Sequence, residues 1–169
     1  MSRTVRIELL AGEHNRAQFS SGSETLDRYL RTQASQDFKR RTATCFVALD
    51  NSTSEIVGYY TLTATSLALD ALPPRLVKKL PCYPVVPAVL LGRLAVALTH
   101  QGQGWGGVLL ADALKRVGRA EVGVFAMVVD AKDEPAQRFY ERYGFALLPG
   151  ENRRLFLPIG EALRRLASR

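Results

Sequence analysis

Residues 90 to 107, LLGRLAVALTHQGQGWGG, govern how the remainder of this chain can be read. Leu90 to Val96 suit a buried strand, a short polar link follows, and glycines stand at 102, 104, 106 and 107 before the helical pattern VLLADALKRV begins at Val108. The segment predicts a strand, a glycine loop and a helix N-terminus in that order. The first turn of a helix has backbone N–H groups without internal partners and the positive end of the dipole, and glycines remove the Cβ atoms that hold a ligand away. Such a junction suits an anion, above all a phosphate or pyrophosphate.

Gly102-x-Gly104-x-x-Gly107 also satisfies the dinucleotide fingerprint, with Asp130 closing a second apolar run about 20 residues on. That reading fails on room, because about forty residues remain after Asp130, too few for the further βα units of a doubly wound sheet. No Gly-Lys-Ser/Thr follows the loop, so the Walker pattern fails as well. A glycine connection that binds nothing stays open as the alternative.

The rest of the pattern predicts one α/β domain over residues 1–169. Ser21 and Glu24 read as a capping box for a helix in which Leu26, Tyr29, Leu30, Ala34 and Phe38 recur on one side up to about Arg40. Its polar side carries Arg28, Arg31, Lys39 and Arg40, with Arg41 just beyond. Thr44–Leu49 and Ile56–Thr63 read as an antiparallel hairpin, and the stretch from Leu67 to Pro87, with five prolines and a short helix over residues 75–80, as a long functional loop or lid. A helix over Val108–Arg119, a parallel strand over Val122–Asp130, a helix from Lys132 to Gly144, short strands at Phe145–Leu148 and Leu155–Leu157, and a helix over Glu161–Ala167 complete the reading.

Cys45 and Cys82 have no metal-ligand spacing and are too few for a disulfide framework, so reduced thiols and no metal site are expected. No apolar run reaches the roughly 18 residues needed to span a bilayer, and MSRTVRIELL lacks the apolar length of a signal peptide. A cytoplasmic protein is expected. The net charge of +7 favours polyanionic partners, although simple solubility would account for it too.

Two motifs carry a family resemblance. Gln101-x-x-Gly104-x-Gly106, after a strand ending Arg93-Leu94-Ala95-Val96, resembles the acetyl-CoA pyrophosphate loop of the GNAT N-acetyltransferases, and Ala136-x-x-Phe139-Tyr140-x-x-x-Gly144-Phe145 resembles their closing motif. The resemblance implies the GNAT fold, an α/β architecture whose mixed central sheet has splayed parallel strands 4 and 5 and flanking helices. It implies acetyl-CoA lying along the backbone of Leu94, Ala95 and Val96, with its pyrophosphate on Gln101, Gly102, Gln103, Gly104, Trp105, Gly106 and Gly107, and Phe139 in the cofactor set. Acetyl transfer from a thioester to an amine needs a neutral amine, a donor to the carbonyl oxygen and a proton for the departing thiolate. Tyr140 matches the family's proton donor and the Val96 N–H its carbonyl donor; Tyr143 reads as structural. No His or Glu stands out as a base. A lysine amine is only about 0.04% neutral at pH 7 and an α-amine on the order of 15%, so an α-amine acceptor makes the smaller demand.

The N-terminal half resembles one branch of that superfamily. Glu13-His14-Asn15-Arg16, Phe19-Ser20-Ser21-Gly22, Leu26-Asp27, Tyr29-Leu30, the TCFVALDN stretch at 44–51, Gly58-Tyr59-Tyr60 and the C-terminal Leu155-Phe156-Leu157-Pro158 are similar to the TacT-like toxin acetyltransferases of bacterial toxin–antitoxin pairs. Ser21 stands where many relatives have Cys, and Trp105 where a smaller aliphatic residue is usual. The resemblance implies acetylation of the α-amine of aminoacyl-tRNA, arrest of translation, a DNA-binding antitoxin of ribbon-helix-helix type and a toxin homodimer. Arg28, Arg31, Lys39, Arg40, Arg41, Arg75, Lys78, Lys79 and Arg93 then become candidate tRNA phosphate contacts. His14 reads as a structural hydrogen-bonding residue. Two alternatives stay open: an acetyltransferase of a small amine or protein N-terminus, and a noncatalytic nucleotide- or nucleic-acid-binding module.

Overall fold

The strand, glycine loop and helix expected around residue 100 are all formed in the computed structural model, which describes residues 4–81 and 83–168. The thiol expected at Cys82 lies outside the described residues. In chain order the elements are β1 (Val5–Leu9), α1 (Glu24–Arg28), a π turn (Tyr29–Gln33), α2 (Ala34–Arg40), β2 (Thr44–Asp50), β3 (Ile56–Ala68), α3 (Pro74–Val77), β4 (Val85–Val96), α4 (Trp105–Gly118), β5 (Ala126–Asp130), α5 (Glu134–Arg142), β6 (Ala146–Leu147), β7 (Arg154–Pro158) and α6 (Ile159–Ala167). The seven strands form one mixed sheet in the order β1-β2-β3-β4-β5-β7-β6. β4 and β5 are parallel over Ala88↔Ala126 to Leu91↔Val129, so Gly92–Val96 lie beyond that ladder. β5–β7 and β6–β7 are antiparallel.

Several expectations need correction. β1 was not expected; it pairs with β2 from Val5↔Asp50 to Leu9↔Phe46, and its weak alternation is that of an edge strand. The proline-rich lid is shorter than the sequence suggests, because β3 runs on to Ala68 and β4 starts at Val85. Pro87 is tolerated inside β4, where its carbonyl accepts the Phe125 N–H at 2.9 Å. The N-cap of α1 is Ser23, whose side chain accepts the Leu26 N–H at 3.4 Å, and not Ser21, whose hydroxyl is taken by Asp27 at 2.7 Å. The expected single helix over 24–40 is interrupted by the π turn, and Phe38, expected on its buried side, is 48% exposed.

The chain packs as two compact units. The first, up to Thr63 with Gly92–Ala113, has a core of Phe19, Tyr29, Leu30, Val47, Leu49, Tyr59 and Ala95 among others. The backbones of β3 and the end of β4 approach closely at Gly58, where an added Cβ would lie 2.8 Å from both the Ala95 carbonyl oxygen and Leu109 Cδ1. Gly58→Ala is therefore expected to cost about 1–3 kcal/mol through overpacking. Denaturant unfolding measures this, and an unchanged midpoint would refute the close approach. The second unit, Ala64–Leu91 with residues 114 onward, buries Leu67, Val86, Ala88, Ala126, Val128 and Phe156. Gly144 ends α5 at φ +97°, and Arg165 of α6 covers it, its Cζ 2.8 Å from where a Cβ would stand. That sets a cation at the negative end of α5.

Candidate active site

In the first unit, β4 ends at Val96 and the Ala97 N–H bonds to the Val57 carbonyl at 2.8 Å. A 3₁₀ turn over Leu98–His100 leads into the glycine loop. Gly102 and Gly104 take φ +76° and +85°, which other residues resist, and a Cβ at either would meet nothing within 4 Å. The loop's inner side is thus open backbone. The helical ladder begins with Val108 N–H to the Gly104 carbonyl at 3.3 Å, so the amides of Gly104, Trp105, Gly106 and Gly107 have no backbone partner among the described residues. Four amides and the positive end of the 14-residue α4 suit a pyrophosphate. Trp105 begins the helix with its indole N–H buried and without a partner, its ring edge-on to that of His100 at 6.4 Å. This residue therefore packs inward behind the loop.

Gln101 turns its side chain back into the protein. Its Nε2 donates to the Ser21 carbonyl at 2.7 Å and to the Val96 carbonyl at 2.9 Å, while its backbone N–H closes the 3₁₀ turn onto Leu98 at 3.4 Å. Leu94, Ala95 and Val96 belong to the same unit as the loop.

In the second unit, Asp133 caps α5 by accepting the Ala136 N–H at 2.9 Å, with Pro135 in the first turn. The helix presents an aromatic group in which Tyr140 meets Phe139 at 5.1 Å and Phe145 at 5.5 Å, and Phe139 meets Tyr143 at 5.1 Å. Tyr140 is buried to 8% exposure, which pushes its phenol up to about 12. Its hydroxyl has no hydrogen-bond partner among the described residues, yet its oxygen is not one of the sealed, unsatisfied polar atoms. It is a protonated donor with its hydrogen free. Asp130, the acid of the rejected dinucleotide reading, is held bidentate by Arg154 at 2.8 and 3.1 Å.

The cations expected to meet phosphates fall in both units. Arg28 and Arg31 reach Glu24 at 3.9 and 3.2 Å, whereas Lys39, Arg40 and Arg41 at the end of α2 and Arg75, Lys78 and Lys79 around α3 are exposed and form no ion pair among the described residues. Arg93 is half-buried, its guanidinium 3.5 Å above the Tyr29 ring, and the Tyr29 hydroxyl donates to Asp37 at 2.7 Å. Neither contact leaves a signal in the sequence, since the partners are 64 and 8 positions apart. His14 is structural as expected: Nδ1 accepts the Ala11 N–H at 2.9 Å, which puts the ring proton on Nε2, 2.7 Å from Glu8. Glu8, Glu13 and His14 offer ligand atoms within 4.8 Å of one another, but with both imidazole nitrogens engaged the ring has no lone pair for a cation.

The family model for the acetyltransferase (GNAT) domain matches residues 41–147. A tRNA-acetylating toxin of Mycobacterium tuberculosis is 36% identical over 146 residues, covering 85% of this chain and 86% of the relative. The chain belongs to the GNAT acetyltransferase family. As a member it is an acetyl-CoA-dependent N-acetyltransferase. Two solved structures resemble the fold over nearly the full length. AtaT complexed with acetyl-methionyl-tRNAfMet has a TM-score of 0.88 at 33% identity, covering 97% of this chain and 99% of that one. A Tyr→Phe mutant of AtaT, bound to the C-terminus of the antitoxin AtaR and to acetyl-CoA, has a TM-score of 0.79 at 28% identity, covering 96% and 98%. Among the described residues no helix is long and apolar enough to cross a membrane.

Proposed function

We propose that this acetyltransferase is a toxin that moves the acetyl group of acetyl-CoA to the α-amine of aminoacyl-tRNA and so blocks translation. The observation that carries the reading is the likeness, along 97% of the chain, to a protein complexed with acetyl-methionyl-tRNA. Residues 1–169 act as one catalytic domain, a reading supported by a family match that draws on both units. A cytoplasmic location, a ribbon-helix-helix antitoxin that binds DNA, and a homodimer complete the proposal.

When bound, acetyl-CoA supplies an acetyl group activated as a thioester. The amides of Gly104 to Gly107 hold its pyrophosphate, the backbone of Leu94 to Val96 orients the pantetheine, and Phe139 helps enclose it. The Val96 N–H donates to the carbonyl oxygen as negative charge gathers there. With the cofactor bound, Tyr140 would give its proton to the departing sulfur and regain one from solvent, to which the amine's surplus proton would leave. An acceptor with pKa near 7.7 is on the order of 15% neutral at pH 7, which matches a site without an evident base. Arg28, Arg31, Lys39, Arg40, Arg41, Arg75, Lys78, Lys79 and Arg93 are the tRNA phosphate contacts.

The test is labelled acetyl-CoA offered with charged tRNA, deacylated tRNA and free amino acids. Label is expected on charged tRNA alone. Equal labelling of free amines would replace this reading with a small-amine acetyltransferase, and no labelling would remove the catalytic reading.

A further inference from the structure

Asp27 is a buried carboxylate, 5% exposed, with no cation paired to it among the described residues. Hydrogen bonds must hold such a group. Its Oδ1 accepts both the Ser21 N–H, at 3.0 Å, and the Ser21 hydroxyl, at 2.7 Å, which fixes Ser21 from two sides. The Ser21 carbonyl then accepts one proton of the Gln101 amide at 2.7 Å, and the Val96 carbonyl accepts from the same nitrogen at 2.9 Å. Alongside, the Leu98 N–H bonds to the Ser20 carbonyl at 2.9 Å. The segment at residues 20–22 therefore runs against the bend that joins β4 to the glycine loop, with Gln101 bridging the two.

Two consequences follow. With its side-chain protons and its backbone N–H all engaged inside the protein, Gln101 has no donor left for a ligand. And the peptide after Val96 is tied at both ends, its carbonyl to Gln101 and its N–H, that of Ala97, to the Val57 carbonyl at 2.8 Å. That peptide is fixed on the C-terminal side of Val96 and limits how the Val96 N–H, on the peptide before it, can turn.

We propose that Asp27, Ser21 and Gln101 form a positioning bracket for acetyl transfer, in which Asp27 fixes Ser21 and Gln101 fixes the Val96 backbone so that the Val96 N–H points at the thioester carbonyl. This rests on the role given above to the Val96 N–H. Gln101, Ser21 and Asp27 are positioning residues, and none of them touches the reacting atoms. The hydroxyl of Ser21 matters here because it supplies a strong donor to Asp27, which a thiol at that position would do only weakly.

The experiment uses the full chain with acetyl-CoA labelled with carbon-13 at the acetyl carbonyl. Three quantities are read for wild type, Gln101→Ala, Asp27→Leu and Asp27→Asn: the infrared stretch of the bound carbonyl, CoA affinity by calorimetry, and kcat. Wild type is expected to lower the carbonyl frequency relative to free acetyl-CoA. Gln101→Ala, an exposed side chain whose loss leaves the core intact, is expected to lose at least half of that lowering and to drop kcat by up to about 100-fold, with CoA affinity within about threefold. Asp27→Leu follows it, and Asp27→Asn, which keeps an oxygen facing Ser21, recovers most of the lowering. A wild-type lowering that persists in Gln101→Ala, or a CoA affinity that falls in step with the rate, overturns the bracket alone. A wild-type frequency equal to that of free acetyl-CoA overturns both the bracket and the role of Val96.

Discussion

Tyr140→Phe is expected to slow acetyl transfer by about 10²- to 10⁴-fold, the usual contribution of a positioned proton donor. The phenol hydrogen has no acceptor inside the described protein, so its removal breaks no internal bond and leaves the ring packed against Phe139 and Phe145. Stability should stay within about 0.5 kcal/mol and CoA affinity should be nearly unchanged. The separation is diagnostic, because loss of rate with retained fold and retained cofactor leaves the chemical step as the only thing altered. The pH profile carries the same information. Burial lifts the phenol from 10.0 to about 12, so it keeps its proton through the neutral and mildly alkaline range. The rate should rise as the acceptor amine loses its proton near pH 7.7 and then stay level to at least pH 10. An alkaline fall below pH 10 would remove Tyr140 from the role of acid.

Raising salt from about 50 to 200 mM is expected to raise the apparent KM for charged tRNA by about 130- to 500-fold if roughly five phosphates are contacted, since each contributes a slope of about −0.7 to −0.9 in log K against log salt. Acetyl-CoA should be far less affected, because the cradle proposed for it is made of neutral amides and not of cations. The exposed cations should contribute unequally. Among the described residues Lys39, Arg40 and Arg41 have no carboxylate partner, while Arg28 and Arg31 share Glu24 and would give up that attraction on binding RNA. Arg40→Glu should therefore flatten the salt slope more than Arg28→Glu. A KM for tRNA that ignores salt would refute the proposed interface.

The glycine loop and its helix were legible because their signal is local: four glycines, a strand before them and an amphipathic run after. The same holds for α5, where Pro135 and Gly144 mark the start and stop, and for Cys45, which is buried and free. What stayed hidden was carried by distance in sequence. Asp27 with Ser21 and Gln101, Arg93 with Tyr29, and Asp130 with Arg154 become partners only after the sheet has ordered its strands. β1 escaped notice because five residues on an edge strand show too little alternation. The start of β4 is hidden because Pro84 and Pro87 look like breaks, although Pro87 needs only its carbonyl.

The π turn at Tyr29–Gln33 changes the phase of everything after it. A wider turn advances each residue by less than the 100° of an ordinary helix, so across it the register slips by about one position. Phe38 comes round to the outside, and Lys39 and Arg40 rotate with it, away from the azimuth that an unbroken count from Leu26 would assign. The basic face of this helical run is thus two arcs offset from each other, and deleting one residue from the turn is expected to bring the arcs into line while pulling the Tyr29 hydroxyl away from Asp37.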